Sequence, residues 1–459
     1  MKIKRILIIT LIIMVAAPII WFGRYRFYNF QANRAILFVA PQDLEGYTDK
    51  LFYTTGDTIK LFVRAKSDSN FATVRKMTAF NESVALKSIF FPKIEQVLNE
   101  KQSEFGCNWE NPILVNVDNT FEKGYYNLQL KSATDTFNVY FIVGDNKNDG
   151  EIVYLANTST WTAYNSWGGK SLYENSIDQQ SVYYVSTLRP NIAFGHLALH
   201  HSIEVEAHGY NWFSKYYNVD VYPDYILEQN PELLANKKVI VLAYHTEYFS
   251  SAMYSNLEDL IYSGRSLLAL GANQIYKKIK WRNDYTLMES RRDLTFHDDG
   301  FLEYGGLWYH RFRPPERFLG ARYTGNGIHS FAPYTVTNSK HWLYNGLDVK
   351  DGDLFGEKGI DGKPISGLET DKVSFLTPND FQIIAKGINP AERSVGNEIH
   401  YPDSNYTWDG AGGSHFGYRK LSDTNAILNS AAIHSIAGLG VDSVFSTIVK
   451  NFLDKYFPK

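Results

Sequence analysis

Two hydrophobic periods follow one another along this chain. Thr58-Ile59-Lys60-Leu61-Phe62-Val63-Arg64 and Tyr126-Asn127-Leu128-Gln129-Leu130-Lys131 place apolar and polar residues in turn, and Thr136 to Val143 (TFNVYFIV) forms a third run. Alternation with period two predicts half-buried strands. Thr55-Gly56-Asp57 and Lys123-Gly124 punctuate these runs as turns. From about Ala35 to Val143 the pattern predicts an all-β region, several short strands folded as a sandwich.

The polar stretch Gly144 to Gly150 (GDNKNDG) is the best linker, and the pattern changes after it. Ile152 to Ala156, Val219 to Tyr222, Lys237 to Tyr244 (KKVIVLAY) and Ser266 to Leu270 are short apolar runs that predict buried strands. Between them, Ile203 to Tyr217 and Asn256 to Tyr262 carry apolar residues at helical spacing, and Gly440 to Phe457 predicts a closing amphipathic helix. Continuous apolar strands alternating with helices predict a parallel sheet covered on both faces. Ile279 to Gly410 has few clear periods and many Gly, Pro, Arg and Trp, and reads as long insertions on the α/β core.

Ligands in such sheets bind at the carboxyl ends of the strands. Three strand ends here carry unusual residues. Thr160-Trp161-Thr162-Ala163-Tyr164-Asn165-Ser166-Trp167-Gly168-Gly169 follows the first strand as an aromatic loop, which either plugs a core or lines a site. Tyr244-His245-Thr246-Glu247-Tyr248 follows the third, and Gly271-Ala272-Asn273-Gln274 follows the fourth. A phenol, an imidazole, a carboxylate and an amide would meet at one edge. Each has a simpler reading. Glu247 can begin the next helix, His245 can be a hydrogen-bonded structural histidine, Tyr164 core filler, and Asn273 a turn residue.

At the N-terminus, Ile6 to Phe22 is an unbroken apolar run with Lys2, Lys4 and Arg5 before it and Arg24 and Arg26 after it. It predicts a signal anchor with the bulk of the protein outside the cytoplasm, at a bacterial inner membrane or cell surface, the alternative being a cleaved signal peptide. The chain thus divides into an anchor (1–30), a β-sandwich (31–148) and an α/β domain (149–459). A formal charge of −3 argues against a nucleic-acid binder working by bulk charge. The single Cys107 excludes an internal disulfide. Serine-hydrolase elbows, H-E-x-x-H zinc sites and phosphate loops find no match in the sequence, and His200-His201, neighbours on a helix, point apart. The α/β part resembles glutamine-amidotransferase-like (flavodoxin-like) domains, but Cys107 lies in the sandwich, away from where their nucleophile stands.

A more specific resemblance rests on TWTAYNSWGGKSLY, VIVLAYHTEYFS, SGRSLLALGANQIY, PPERFLGARYTG, HWLYNGL, GLETD and VDSVFSTIVKNFLDKYF, together with GYTDKLFYTTGDTIKLFV in the sandwich. With these the chain resembles the large (beta) subunit of N,N-dimethylformamidase over about Val39 to Phe457. The resemblance implies an amide hydrolase with mononuclear iron, Fe³⁺, on two tyrosines and a glutamate. Glu247 and Tyr164 match two of these ligands, and the third points to Tyr126, with Tyr125 as the other choice. His245 and Asn273 match positions that either stand behind the metal ligands or face the substrate and are the candidate catalytic residues, and Asn165, Trp161 and Trp167 are candidate substrate-binding walls. Hard phenolate and carboxylate oxygens suit a trivalent ion. Here Tyr244-His245-Thr246-Glu247-Tyr248-Phe249 departs from the family's G-H-D-E-Y-W, so metal site and fold carry over better than substrate. The resemblance also implies a small-molecule amide substrate and a small accessory subunit or homo-oligomer. The competing expectation is a non-catalytic, envelope-associated binding protein, glycan-related, that keeps the scaffold.

Overall fold

The structure, a computed structural model, describes residues 42–172, 182–193, 202–291, 305–323, 330–389 and 413–457. The expected anchor at 6–22 and His200-His201 lie outside the described residues. Among the described residues no helix is long and apolar enough to cross a membrane.

Eight strands form the sandwich: β1 (Leu44–Thr48), β2 (Phe52–Tyr53), β3 (Thr58–Ala65), β4 (Asn70–Ala79), β5 (Glu82–Phe91), β6 (Ile113–Asn116), β7 (Gly124–Lys131) and β8 (Thr136–Val143). They make a three-stranded sheet, β1-β3-β6, and a five-stranded sheet, β2-β8-β7-β4-β5. The alternation of β3 sends Ile59, Leu61 and Val63 inward, against Ala72, Val74, Leu128 and Leu130 of the facing sheet.

The second half is built on one nine-stranded sheet. Its strands are β9 (Ile152–Ala156), β10 (Val219–Pro223), β11 (Val239–Tyr244), β12 (Ser266–Gly271), β13 (Tyr334–Val336), β14 (Leu354–Phe355), β15 (Phe381–Gly387), β16 (His415–Lys420) and β17 (Ala426–Asn429). The order is β10-β9-β11-β12-β17-β16-β15-β13-β14. The first five strands are parallel and the last four add on antiparallel. Alternate residues of the parallel strands enter two cores, as a doubly covered sheet requires. Ile152, Tyr154, Val241 and Leu268 face one; Val153, Leu155, Leu242 and Leu267 face the other.

Four helices matter for the site: α1 (Thr158–Tyr164), α2 (Ile203–Tyr216), α3 (Ser251–Tyr262) and α4 (Ser443–Tyr456). Side-chain caps start the last three: Ser202, Ser250 and Asp442 accept from Val205, Met253 and Phe445 N–H. Helices α2 and α4 pack on the first core, and α3 packs on the second through Met253, Tyr254, Leu257 and Ile261.

Two expectations need correction. The aperiodic segment from Ile279 is more than insertion, because β13, β14 and β15 within it complete the sheet. Strands of two and three residues show no period, and β15 breaks its own alternation at an irregularity between Ile383 and Ala385. The aromatic loop is helical in its first part, as α1. Its Thr and aromatic residues are weak helix formers, so tertiary partners at its start hold it.

Candidate functional site

Helix α1 leaves the carboxyl end of β9 directly into two buried carboxyls. Glu206 on α2 accepts from Asn157 N (3.0 Å), Trp161 Nε1 (3.0 Å) and Tyr125 Oη (2.9 Å). Asp224, just past β10, accepts from Thr158 Oγ1 (2.7 Å), Ser159 Oγ (2.9 Å) and Ser159 N (3.1 Å). Acids at a helix start satisfy its orphan N–H groups and its dipole. Burial pushes both up to about 7, against the pull of these hydrogen bonds. The clamp fixes the last residue of α1, Tyr164.

Tyr164 Oη donates to Glu247 Oε2 at 2.7 Å. His245 Nε2 lies 3.3 Å from the same oxygen and 3.6 Å from Glu369 Oε2. Asn273 Nδ2 sits 3.3 Å from His245 Nε2 and donates to Glu369 Oε2 at 2.7 Å. Beneath it, Asn273 N–H donates to Asp371 Oδ1 at 2.8 Å, and burial raises that carboxyl to about 7. His245, Glu247, Asn273, Glu369 and Asp371 are all buried, while Tyr164 keeps a partly open side.

Helix α3 is capped by Ser250, so Glu247 is not its start. Asn273 is a turn residue with φ 51°, yet its side chain also bridges His245 and Glu369. Tyr244 (φ 63°) and Ile275 (φ 53°) are left-handed as well. Left-handed backbone in a bulky or β-branched residue costs on the order of 1–3 kcal/mol and gathers at functional sites. Gly271 permits the packing of the two loops, since a Cβ there would lie 2.1 Å from Tyr244 O.

The structure brings Tyr164, His245, Glu247 and Asn273 together. It does not bring in Tyr126, whose hydroxyl donates to Glu122 O (2.8 Å) and whose ring stacks on Phe121 and Phe141 in the sandwich core. Its neighbour Tyr125 points through the opposite face of β7 to Glu206. Adjacent residues of a strand face opposite ways, and here each tyrosine is taken up by a different core. The candidate walls are also engaged elsewhere. Trp161 donates to Glu206, and Trp167 donates to Glu45 Oε2 (2.8 Å) and packs edge-on against Trp109. Asn165 ties loops, donating to Pro190 O (2.9 Å) and accepting from Trp167 N (3.1 Å) and Ile192 N (3.2 Å).

Sequence reasoning gave no role to Glu369. Its segment has no period to place it, and its one signal is a second acid two positions on, Asp371, in GLETD. As a test of fit for iron, Tyr164 Oη and Glu247 Oε2 are two hard oxygens side by side in a buried setting. The expected third oxygen, from Tyr126, is absent from the cluster.

A buried carboxylate, phenol, imidazole and amide gather at the carboxyl edge of a parallel sheet, where doubly wound folds bind their ligands. The chain belongs to the family described as N,N-dimethylformamidase beta subunit-like, C-terminal, which matches residues 78–445. Among its relatives is the N,N-dimethylformamidase beta subunit of Paracoccus aminophilus, 21% identical over 419 aligned residues, covering 76% of this chain and 54% of that one. Another is the N,N-dimethylformamidase beta subunit of an Alcaligenes species, 24% identical over 326 aligned residues, covering 63% of this chain and 42% of the relative. The chain therefore spans about half the length of the relatives it matches.

Proposed function

We propose that the protein hydrolyses an amide or related C–N bond at the Tyr164–Glu247–His245–Asn273–Glu369 cluster. The observation that carries this is the convergence on Glu247 Oε2 of a tyrosine hydroxyl at 2.7 Å and an imidazole nitrogen at 3.3 Å, in a buried strand-end site. Membership of a family described by an amidase subunit supports the same reaction class. The strand order, 2-1-3-4-5 in chain order for the parallel part, supports the glutamine-amidotransferase-like reading of this half.

Tyr164 and Glu247 would hold a hard metal ion, iron in this reading. When bound, such an ion supplies Lewis acidity toward a carbonyl oxygen and toward water. The chain's own residues do the rest. His245 Nε2 stands between Glu247 and Glu369, where it can hold a proton and deliver it to a departing amine. Asn273, fixed by Glu369 and Asp371, orients the substrate. Burial of the cluster excludes bulk water and strengthens each polar contact. We place the bulk of the chain outside the cytoplasm, held by residues 6–22, with a small subunit or a second copy as partner.

Metal content and visible absorption of the full chain test this. Bound iron with a tyrosinate-to-iron band that vanishes in Tyr164→Phe, together with amine release from small formamides, is the expected result. Purified protein that takes up no metal and releases no amine from any of them would refute it.

A further inference from the structure

Buried polar groups are almost always hydrogen-bonded, and leaving one without a partner is costly. Among the described residues, several that break this rule stand together at three neighbouring strand ends. Asn157 Oδ1 follows β9, Thr246 Oγ1 follows β11, and Asn273 Oδ1 with both ends of the Gln274 carboxamide follow β12. All four residues are at most 3% exposed. Asn157 and Asn273 use their Nδ2 donors on Ala243 O and Glu369 Oε2, so acceptors are what they have left. The loops that carry Thr246 and Gln274 are joined by Ile275 N–H to Thr246 O at 2.9 Å. The chain spends conformational strain to put Gln274 there. Both its neighbours, Asn273 and Ile275, are left-handed, and its Nε2 lies 2.7 Å from where a Cβ on Gly271 would stand.

Resting on the proposed reaction, we infer that these unpartnered polar groups read the N–H of the substrate, so that the site takes primary or mono-substituted amides and rejects N,N-disubstituted ones. The inventory sets the chemistry. Asn157 Oδ1, Asn273 Oδ1 and Gln274 Oε1 are acceptors that need an N–H, while Gln274 Nε2 and the Thr246 hydroxyl donate to a carbonyl. A ligand with one C=O and at least one N–H offers a partner to each set. A tertiary amide has no N–H and would leave the acceptors buried and unmatched. A site built to bond an N–H rejects the analogue lacking it far more strongly than a site missing one methylene of apolar contact. Gln274 and Thr246 are here specificity residues; they leave proton transfer to His245.

The test measures dissociation constants of formamide, N-methylformamide and N,N-dimethylformamide on the full chain, with thermal melting of the ligand-free protein alongside. Gln274→Met and Thr246→Val keep the approximate side-chain size and remove the polar atoms. Wild type should bind N-methylformamide at least about tenfold tighter than N,N-dimethylformamide, and both variants should lose that preference. Both should also melt higher than wild type when ligand-free, because an unmatched buried group is gone. A structural role would lower the melting point instead. Equal binding of the two formamides by wild type, a preference that survives Gln274→Met, or a lowered melting point in both variants overturns the inference while leaving amide binding in place. Binding of none of the three overturns it together with the proposed reaction.

Discussion

Two buried glutamates in this protein each accept a hydrogen bond from a tyrosine, and the resemblance ends there. Glu206 takes Tyr125 Oη at 2.9 Å and Glu247 takes Tyr164 Oη at 2.7 Å. Around Glu206 every other contact is a plain donor, the Asn157 N–H and the Trp161 indole. Around Glu247 stand a histidine, a second carboxylate and an amide that bridges them. The first arrangement is a finished knot, with both carboxyl oxygens matched. The second gathers groups that can exchange protons, beside buried polar atoms that no protein group satisfies. Burial alone does not mark a site; what surrounds the buried charge does.

That contrast sets the largest expected effect. Glu206→Ala leaves the Asn157 N–H, the Trp161 N–H and the Tyr125 hydroxyl without their acceptor, and should cost about 3–5 kcal/mol of stability. Denaturant unfolding would measure it. A loss under about 1 kcal/mol would mean that water replaces the carboxylate and the knot is not structural.

The next effect reads the same clamp through pH. Burial raises Asp224 from its ordinary value of 3.8 to about 7. A raised carboxyl holds its proton more tightly in the folded state. Its contribution is therefore full below pH 3.8 and is lost as pH climbs to about 7. Asp224→Asn keeps an acceptor for Thr158 and Ser159 and removes the titration. The slope of stability against pH over that window should then change by up to about 1.4 kcal/mol per pH unit. Unfolding curves at several pH values check this, and parallel profiles for wild type and variant would count against it.

Much of this was legible in the chain. The alternation of β3 and the apolar runs of β9, β11 and β12 predict the elements that carry the site. Their carboxyl ends single out Tyr164, His245, Glu247 and Asn273. What stayed hidden depends on contacts between residues remote in sequence. Glu369 lies in an aperiodic stretch, and nothing local says that Asn273 reaches it from 96 positions away. Tyr126 and Tyr125 are adjacent, and only the packing of two different cores shows that neither turns to Glu247. The tryptophans of the aromatic stretch are core because Glu206 and Glu45, 45 and 122 positions distant, accept from them.

A smaller effect belongs to Trp167. Its indole donates to Glu45 Oε2, but Arg64 also holds that carboxylate, at 2.7 Å from Oε1. Trp167→Phe removes one bond and some packing while Glu45 keeps its guanidinium partner, so about 1–2 kcal/mol should be lost. Amide binding at the Glu247 site should not move, because Trp167 packs with Tyr47, Cys107 and Trp109 in a separate cluster. A changed affinity would return Trp167 to the pocket wall.

The smallest stability effect should come from the residue with the largest functional one. Tyr164 is partly open, and its hydroxyl donates to a glutamate that also has His245 within 3.3 Å. Tyr164→Phe removes one neutral donor and leaves Glu247 beside the imidazole, so stability should change by less than about 1 kcal/mol in either direction. Metal uptake and amine release should fall to background in the same protein. The Glu206 knot behaves the opposite way, since Tyr125→Phe should lower stability and leave metal uptake intact. If Tyr164→Phe instead unfolds the protein while retaining its metal, the two glutamates play the same structural part, and the distinction between knot and site collapses.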